Sequence, residues 1–305
     1  NQISENAIDI IKKSDPPLLV ERSRLEHIKP GNLDDDFDEI KDADWVIEAV
    51  VERIDIKHKL YSQIDKVRSP NSIISSNTST IPLSILTQEM SDTMKADFCI
   101  THFFNPVRFM RLLEIVETPT VNKDKMSGLR DFCKNELGKG IVNCNDTPGF
   151  IGNRIGVYAM QVAMYEALER GLPVEIADAL FGRPLGIPKT GVFGLYDLIG
   201  IDLMKDVLAS FKKELQEDDP FMDVVKPHPL VEQLLDKGYN GNKGPGGFYQ
   251  TTIVEGDEHV KAMNTSDMSY YDFDKVDLEI ARRVEKEGIK ALLDDDSEYG
   301  RYAFA

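Results

Sequence analysis

The sequence predicts an α/β protein in two parts: a mainly parallel sheet flanked by helices, then an all-helical domain. Three observations carry the prediction. Short β-branched or aromatic runs alternate with longer segments of helical period up to Asp146. The turn Asp146-Thr147-Pro148-Gly149 then breaks the pattern, and beyond it apolar residues recur at helical spacing with no convincing strand. Finally, 305 residues is chain enough for two domains of about 150 residues, each with a sizeable core.

Taken in order, Gln2 to Lys13 reads as the end of a helix, and Pro16-Pro17 and Pro30-Gly31 mark irregular chain. Residues 45–51 (WVIEAVV) form a mostly apolar run of strand length. From Glu52 a helix takes over, with Ile56, Leu60, Ile64 and Val67 on one face, until Ser69-Pro70-Asn71-Ser72 ends it. Residues 72–76 (SIISS) read as a strand and residues 81–90 as a short helix opening near Pro82. Residues 98–104 (FCITHFF) and 112–117 (LLEIVE) are two more strands. Met126, Leu129, Phe132, Cys133 and Leu137 share a helical stripe ended by Gly138, and residues 140–144 (GIVNC) are a last strand. Strands separated by helices of this length imply βαβ units. In the second half, residues 150–170 form a long helix with little polar face, the pattern of a helix buried in a core or an interface. Helices are expected at residues 174–181, 196–215, 230–237 and 275–293, with residues 251–272 a polar, irregular loop. The domains are thus 1–146 and 147–305.

Composition narrows the function. Lys and Arg number 36 against 53 Asp and Glu, a net charge of −17, which argues against nucleic acid or an anionic membrane as the main partner, since both require a basic face. No apolar run is long enough to span a bilayer. The sparse cysteines Cys99, Cys133 and Cys144 lack metal-ligand spacing and fit a reduced, cytoplasmic protein. No metal site is expected. The P-loop, zinc-protease and nucleophile-elbow patterns are all missing, and so is GxGxxG.

A few positions remain that can carry chemistry. His102 lies at the end of a strand, where open α/β sheets bind ligands. Glu114 sits in the apolar run LLEIV, where an unpaired carboxylate is costly. If the two meet, the carboxylate fixes the imidazole tautomer and leaves the other nitrogen free as a base. The alternative is a hydrogen-bonded core histidine and a solvent-facing glutamate. The cluster Ser75-Ser76-Asn77-Thr78-Ser79-Thr80 suits either a bound carbonyl or sugar, or ordinary turns and caps. Glu52 and Lys57 open a helix, and Asn153-Arg154 are polar intruders on the apolar helix; solvated or structural roles serve equally well there. Residues 241–249 (GNKGPGGFY) make a compact turn able to approach a ligand.

Together these segments resemble the L-3-hydroxyacyl-CoA dehydrogenase family of fatty-acid β-oxidation. The resemblance runs through ADWVIEAVVERIDIK (43–57), SSNTS (75–79), THFFNPVRFMRLLEIV (101–116), DTPGFIGNRI (146–155), GLYDLIGID (194–202) and GNKGPGGFY (241–249), about two-thirds of the chain. It implies a Rossmann-type, doubly wound sheet and NAD as cofactor. It implies His102 as the general base toward the 3-hydroxyl of an acyl-CoA thioester, with Glu114 orienting it. Ser79, Asn105 and Asn153 would hold the reacting oxygen, and Glu52, Lys57 and Asn77 would touch the cofactor. The helical domain would form a homodimer and close over the substrate.

The departure from the family lies at the start. The phosphate-binding glycine turn belongs to a first βαβ unit that residues 1–42 do not contain. The chain opens at Asn1, so an upstream segment carrying that unit is expected. Residues 1–32 look most like larger members fused to, or associated with, an enoyl-CoA hydratase module. Two other functions stay in view: a catalytically silent acyl-CoA-binding or scaffold part of a multifunctional protein, and an unrelated hydroxyacid dehydrogenase of similar build.

Overall fold

The computed structural model describes residues 2–305 except 186, 188, 227, 255, 256, 274, 275 and 277. It divides into two units, Asn1–Gly152 and Asn153–Ala305, where the sequence pattern placed the boundary at Asp146.

The first unit opens with helix α1 (Gln2–Lys13) and reaches strand β1 (Trp45–Glu48) through irregular and 3-10 turns. Then follow α2 (Ile54–Val67), β2 (Ile73–Ser76), α3 (Leu83–Leu86), α4 (Asp92–Ala96), β3 (Phe98–Phe103), β4 (Leu112–Glu117), α5 (Lys123–Asn135) and β5 (Gly140–Asn143). The segment expected to be one helix over residues 81–90 is instead the single turn α3, with α4 a separate helix capped by the Ser91 hydroxyl.

The five strands form one sheet in the order β1-β2-β3-β4-β5. Neighbours run parallel except β3 and β4, which are antiparallel. Side chains alternate between its two faces as the two-residue strand period requires. Ile74, Ile100 and Val116 pack with Leu60, Tyr61 and Ile64 of α2. Ile73, Cys99 and Ile115 pack with Met126, Leu129 and Cys133 of α5. Helices on both faces explain why β2 is buried along its whole length and β3 and β4 along all but their end residues. Among the described residues no strand precedes β1, and β1 is bonded on one side only.

The second unit is mainly helical, though not the all-helical domain expected: α6 (Gly152–Glu169), α7 (Val174–Leu180), α8 (Phe193–Ile199), α9 (Ile201–Glu214), α10 (Pro229–Asp236), α11 (Glu279–Glu287), α12 (Lys290–Leu293) and α13 (Glu298–Phe304). The helix expected over 196–215 is broken at Gly200, whose φ of 102° lies outside the helical region. Lys275, where a further helix was expected to begin, lies outside the described residues; α11 and α12 occupy the rest of that stretch.

Residues 251–272 are a correction. Rather than an irregular loop they carry most of an antiparallel sheet, β6 (Tyr249–Val254), β7 (Asp257–Met263) and β8 (Tyr270–Asp272). The sequence there is polar because the sheet buries little: Thr251 to Val254 are exposed, whereas Ala262 and Met263 at the end of β7 enter the core. A two-sided polar strand lacks the alternation on which sequence reading depends.

Candidate active site

The antiparallel register of β3 and β4 sets His102 directly opposite Glu114. Directly opposed residues of an antiparallel pair bring their Cβ atoms within about 5.5 Å, and here the imidazole Nδ1 lies 2.7 Å from Glu114 Oε2. Both residues are buried. The other carboxylate oxygen, Oε1, accepts from the backbone N–H groups of Ile151 (2.9 Å) and Gly152 (2.6 Å), at the start of α6. The Cys144 thiol donates to it as well, at 3.6 Å. Burial alone would raise the Glu114 carboxyl, but the His102 hydrogen bond and the Gly152 and Ile151 amides outweigh it, so the carboxyl lies below its ordinary value. Burial, reinforced by Glu114, pushes the Cys144 thiol up to about 12, which keeps it a neutral donor.

An ionised Glu114 accepts, so Nδ1 is the donor, and in the neutral tautomer this leaves Nε2 with its lone pair. Nε2 makes no hydrogen bond among the described residues. Phe104 packs edge-on against the ring at 4.6 Å and Phe150 lies at 5.7 Å, so apolar walls hold its plane. The approach of α6 is close: a Cβ on Gly152 would sit 2.5 Å from Phe104 Cζ. Glycine is what the packing permits there.

The other expected residues gather at the carboxyl ends of β1, β2 and β3. Asn77 Oδ1 accepts from the Phe103 amide at 3.0 Å, tying the end of β2 to that of β3. Glu52, with its side chain 41% exposed, accepts from the Thr78 hydroxyl (3.0 Å) and the Ser79 amide (3.2 Å). The Ser79 hydroxyl has no partner among the described residues, and Asn105 is exposed. Lys57 differs from the rest. It is fully buried, its ammonium 2.7 Å from Glu48 and 3.5 Å from Glu52. In this position its ammonium faces Glu48, Glu52 and the Val50 carbonyl. Asn153, the residue after Gly152, is half-buried and belongs to the second unit.

Sequence reading missed Glu48. Its carboxylate accepts from Lys57, Tyr61 (2.6 Å), Ser76 (2.7 Å) and the Val50 amide (2.7 Å). The signal was the one that marked Glu114, an acid inside an apolar strand, here WVIEAVV. The turn at residues 241–249 wraps a protein group: Asp197 accepts from the Phe248 (2.9 Å) and Tyr249 (2.7 Å) amides, and Gly247 lies so close to it that a Cβ would collide. Arg154, the second polar intruder on the apolar helix, is bound to both oxygens of Asp219.

A doubly wound sheet carrying an acid-backed imidazole at its strand ends, followed by a helical domain, has the build of a dinucleotide-dependent dehydrogenase. Two family models match: 3-hydroxyacyl-CoA dehydrogenase, NAD binding domain, over residues 3–147, and the C-terminal domain of the same family over residues 149–251. A probable 3-hydroxyacyl-CoA dehydrogenase of Deinococcus radiodurans is 34% identical over 84% of this chain and 72% of its own length. A putative fatty acid oxidation complex trifunctional enzyme of Rickettsia felis is 38% identical over 99% of this chain, which spans 41% of that protein. Among solved structures, 3-hydroxybutyryl-CoA dehydrogenase from Escherichia coli K12 superposes with a TM-score of 0.68 at 28% identity, covering 81% of this chain and 52% of the other. The chain belongs to the 3-hydroxyacyl-CoA dehydrogenase family.

Proposed function

We propose that the protein oxidises L-3-hydroxyacyl-CoA to 3-oxoacyl-CoA, with the hydride passing to NAD, as a step of fatty-acid β-oxidation. The observation that carries the reading is the His102–Glu114 pair, buried, opposed across β3 and β4, with one imidazole nitrogen left open. The family's NAD-binding match over residues 3–147 and the names of the relatives support it.

The residues at the strand ends fit the nicotinamide half of such a cofactor. His102 Nε2, the Ser79 hydroxyl and the Asn77 amide nitrogen are polar groups without partners among the described residues, gathered where doubly wound sheets bind ligands. When bound, NAD supplies the hydride acceptor. His102 Nε2 takes the proton of the 3-hydroxyl, so the oxygen becomes a carbonyl as the hydride leaves C3. Glu114 holds the ring in the tautomer that accepts this proton and stabilises the imidazolium that results. Ser79, Asn105 and Asn153 are the residues we assign to the reacting oxygen. Glu52 and Asn77 are assigned to the cofactor, with Lys57 positioning Glu52.

We also assign a homodimer to the helical unit, on the strength of Ile155 (65% exposed) and Tyr158 (40%), apolar neighbours on the outer face of α6. Ile155→Asp should convert a dimer to a monomer in sedimentation velocity; an unchanged sedimentation coefficient would remove that face from the contact. The trifunctional names of the rickettsial relatives support an associated or fused hydratase module. The free thiols Cys99, Cys133 and Cys144 suit the cytoplasm. No helix among the described residues is long and apolar enough to cross a membrane.

The test is NADH formation from 3-hydroxybutyryl-CoA. His102→Ala should lower kcat by about 10²–10⁴-fold, the usual worth of a positioned base, with the circular dichroism spectrum unchanged. A variant that turns over like the parent sinks the assignment. Acyl-CoA binding without any NADH formation by the parent would point to the silent, acyl-CoA-binding part.

A further inference from the structure

The helical unit contains a cavity of about 190 Å³ between α6, α8, α9 and α10 that the proposed dehydrogenase chemistry does not use. Its floor is buried and its walls are apolar, with Met164, Leu208 and Val231 among the lining residues. One polar need is left open at the floor. Gln161 is fully buried, and its Oε1 accepts from the Tyr196 hydroxyl at 2.8 Å, but its amide nitrogen has no partner. A buried donor left unpaired is costly, and an acceptor atom brought in from outside would satisfy it.

The mouth has the opposite character. Lys205, Lys212 and Lys226 line it, are exposed, and take part in no ion pair among the described residues; Glu232 is the one carboxylate in the lining, and Glu169 acts on His228 from outside it. Three ammonium groups against these two carboxylates leave a local positive excess on a chain whose net charge is −17. Such an excess focuses an anion at the opening of an apolar space. His228, also in the lining, accepts the Leu230 amide at Nδ1, so its ring proton is on Nε2 and it offers a further donor.

We propose that this cavity is a second ligand site, for a medium-chain carboxylate that carries a carbonyl or hydroxyl oxygen toward the far end of its chain. The carboxylate lies among the three lysines, the alkyl body against Met164, Leu208 and Val231, and the distal oxygen accepts from the Gln161 amide. The size agrees: a cavity of about 150 Å³ takes benzene, so one of about 190 Å³ takes roughly six to eight carbons. The site does not rest on the dehydrogenase reading and stands or falls separately.

Isothermal titration of the full chain with 7-oxooctanoate, octanoate, octylamine and octanoyl-CoA tests it. The oxo acid should bind at one site, roughly 2–10-fold more tightly than octanoate, as one added neutral hydrogen bond allows, and octylamine should not bind. Ala209→Phe, which fills the lining from α9, should abolish binding while leaving 3-hydroxybutyryl-CoA oxidation unchanged. The triple variant Lys205→Ala, Lys212→Ala, Lys226→Ala should weaken it at least about tenfold. No binding of the oxo acid at 5 mM, equal affinity for octanoate, or insensitivity to Ala209→Phe overturns the proposal. So does binding of octanoyl-CoA alone, which would make the lysines a thioester headgroup site. A change from dimer to monomer in Ala209→Phe without acid binding would give the cavity to a second copy, and overturns it too.

Discussion

The buried carboxylates of the two units are held in different ways. In the sheet unit, Glu48 meets an ammonium and Glu114 an imidazole, each with further hydrogen bonds. Burial would raise both, but Lys57, Tyr61 and Ser76 on the one, and His102 with two amides on the other, keep them below the ordinary value. In the helical unit Asp178 and Asp197 find only neutral donors. Asp178 accepts from the Phe193 and Gly194 amides and the Tyr249 hydroxyl, yet burial pushes it up to about 7. Asp197, held by two amides, is pushed up to about 6. Neutral dipoles offset part of the desolvation cost, and a positive partner is needed to reverse it. Within the sheet unit the difference is finer. The partners of Glu48 hold it on every side, which suits a structural joint, whereas the partner of Glu114 has a second nitrogen to spare.

The largest effect expected from this contrast is on rate. Glu114→Gln places an amide against Nδ1, and with the carboxamide oxygen turned to the Ile151 and Gly152 amides, its NH₂ drives the ring proton to Nε2. Turnover should fall by about 10²–10⁴-fold with little change in melting temperature. A fall in stability with turnover intact would reverse the roles given to Glu114 and Glu48.

The next effect is on stability. Lys57→Met leaves Glu48 buried without its cation and should cost about 3–5 kcal/mol, read as a lowered denaturation midpoint; adding Glu48→Gln should recover part of it. If Lys57→Met left stability unchanged and raised only the KM for NAD, Lys57 would belong to the cofactor surface after all.

The smallest effect is set by pH. Asp178 and Asp197 have folded values above their unfolded value of 3.8, so in the window between that value and about 7 the native state binds more protons than the unfolded chain. Their contribution is fully present below pH 3.8 and is lost as pH rises through about 6 and 7. Between pH 7.5 and pH 6 the helical unit should gain on the order of 2 kcal/mol. Glu48 and Glu114 have the opposite sign, contributing above their unfolded value of 4.5 and losing that contribution as pH falls below it. Hydrogen exchange, corrected for intrinsic rates, should therefore show α8 more protected at pH 5 than at 7.5 and β3 nearly unchanged. Equal changes in both would remove the distinction between the units.

Much of the fold was legible because its signals are local. Residues 112–117 carry a strand of the expected bounds, and of the expected stripe Met126, Leu129 and Cys133 face the core, whereas Phe132 and Leu137 are exposed. The small sheet β6–β8 was not legible, since its exposed strands lack an alternating pattern, and the break at Gly200 was hidden inside a continuous apolar period. For the site, His102 and Glu114 were visible one at a time, as an imidazole at a strand end and an acid in an apolar run. Their spacing of twelve residues fits solvent-facing or core roles as well as it fits a pair.

The sequence by itself determined the alternation of strands and helices, the two-part division, the acidic character and the identity of the groups able to do chemistry, because residue type and short-range period dictate each of these. Only the tertiary structure decided which of those groups meet. The antiparallel pairing of β3 and β4 in an otherwise parallel sheet, and the arrival of the α6 amides at Glu114, are non-local. They follow from register and packing across the sheet, where a slip of one residue would turn His102 and Glu114 to opposite faces.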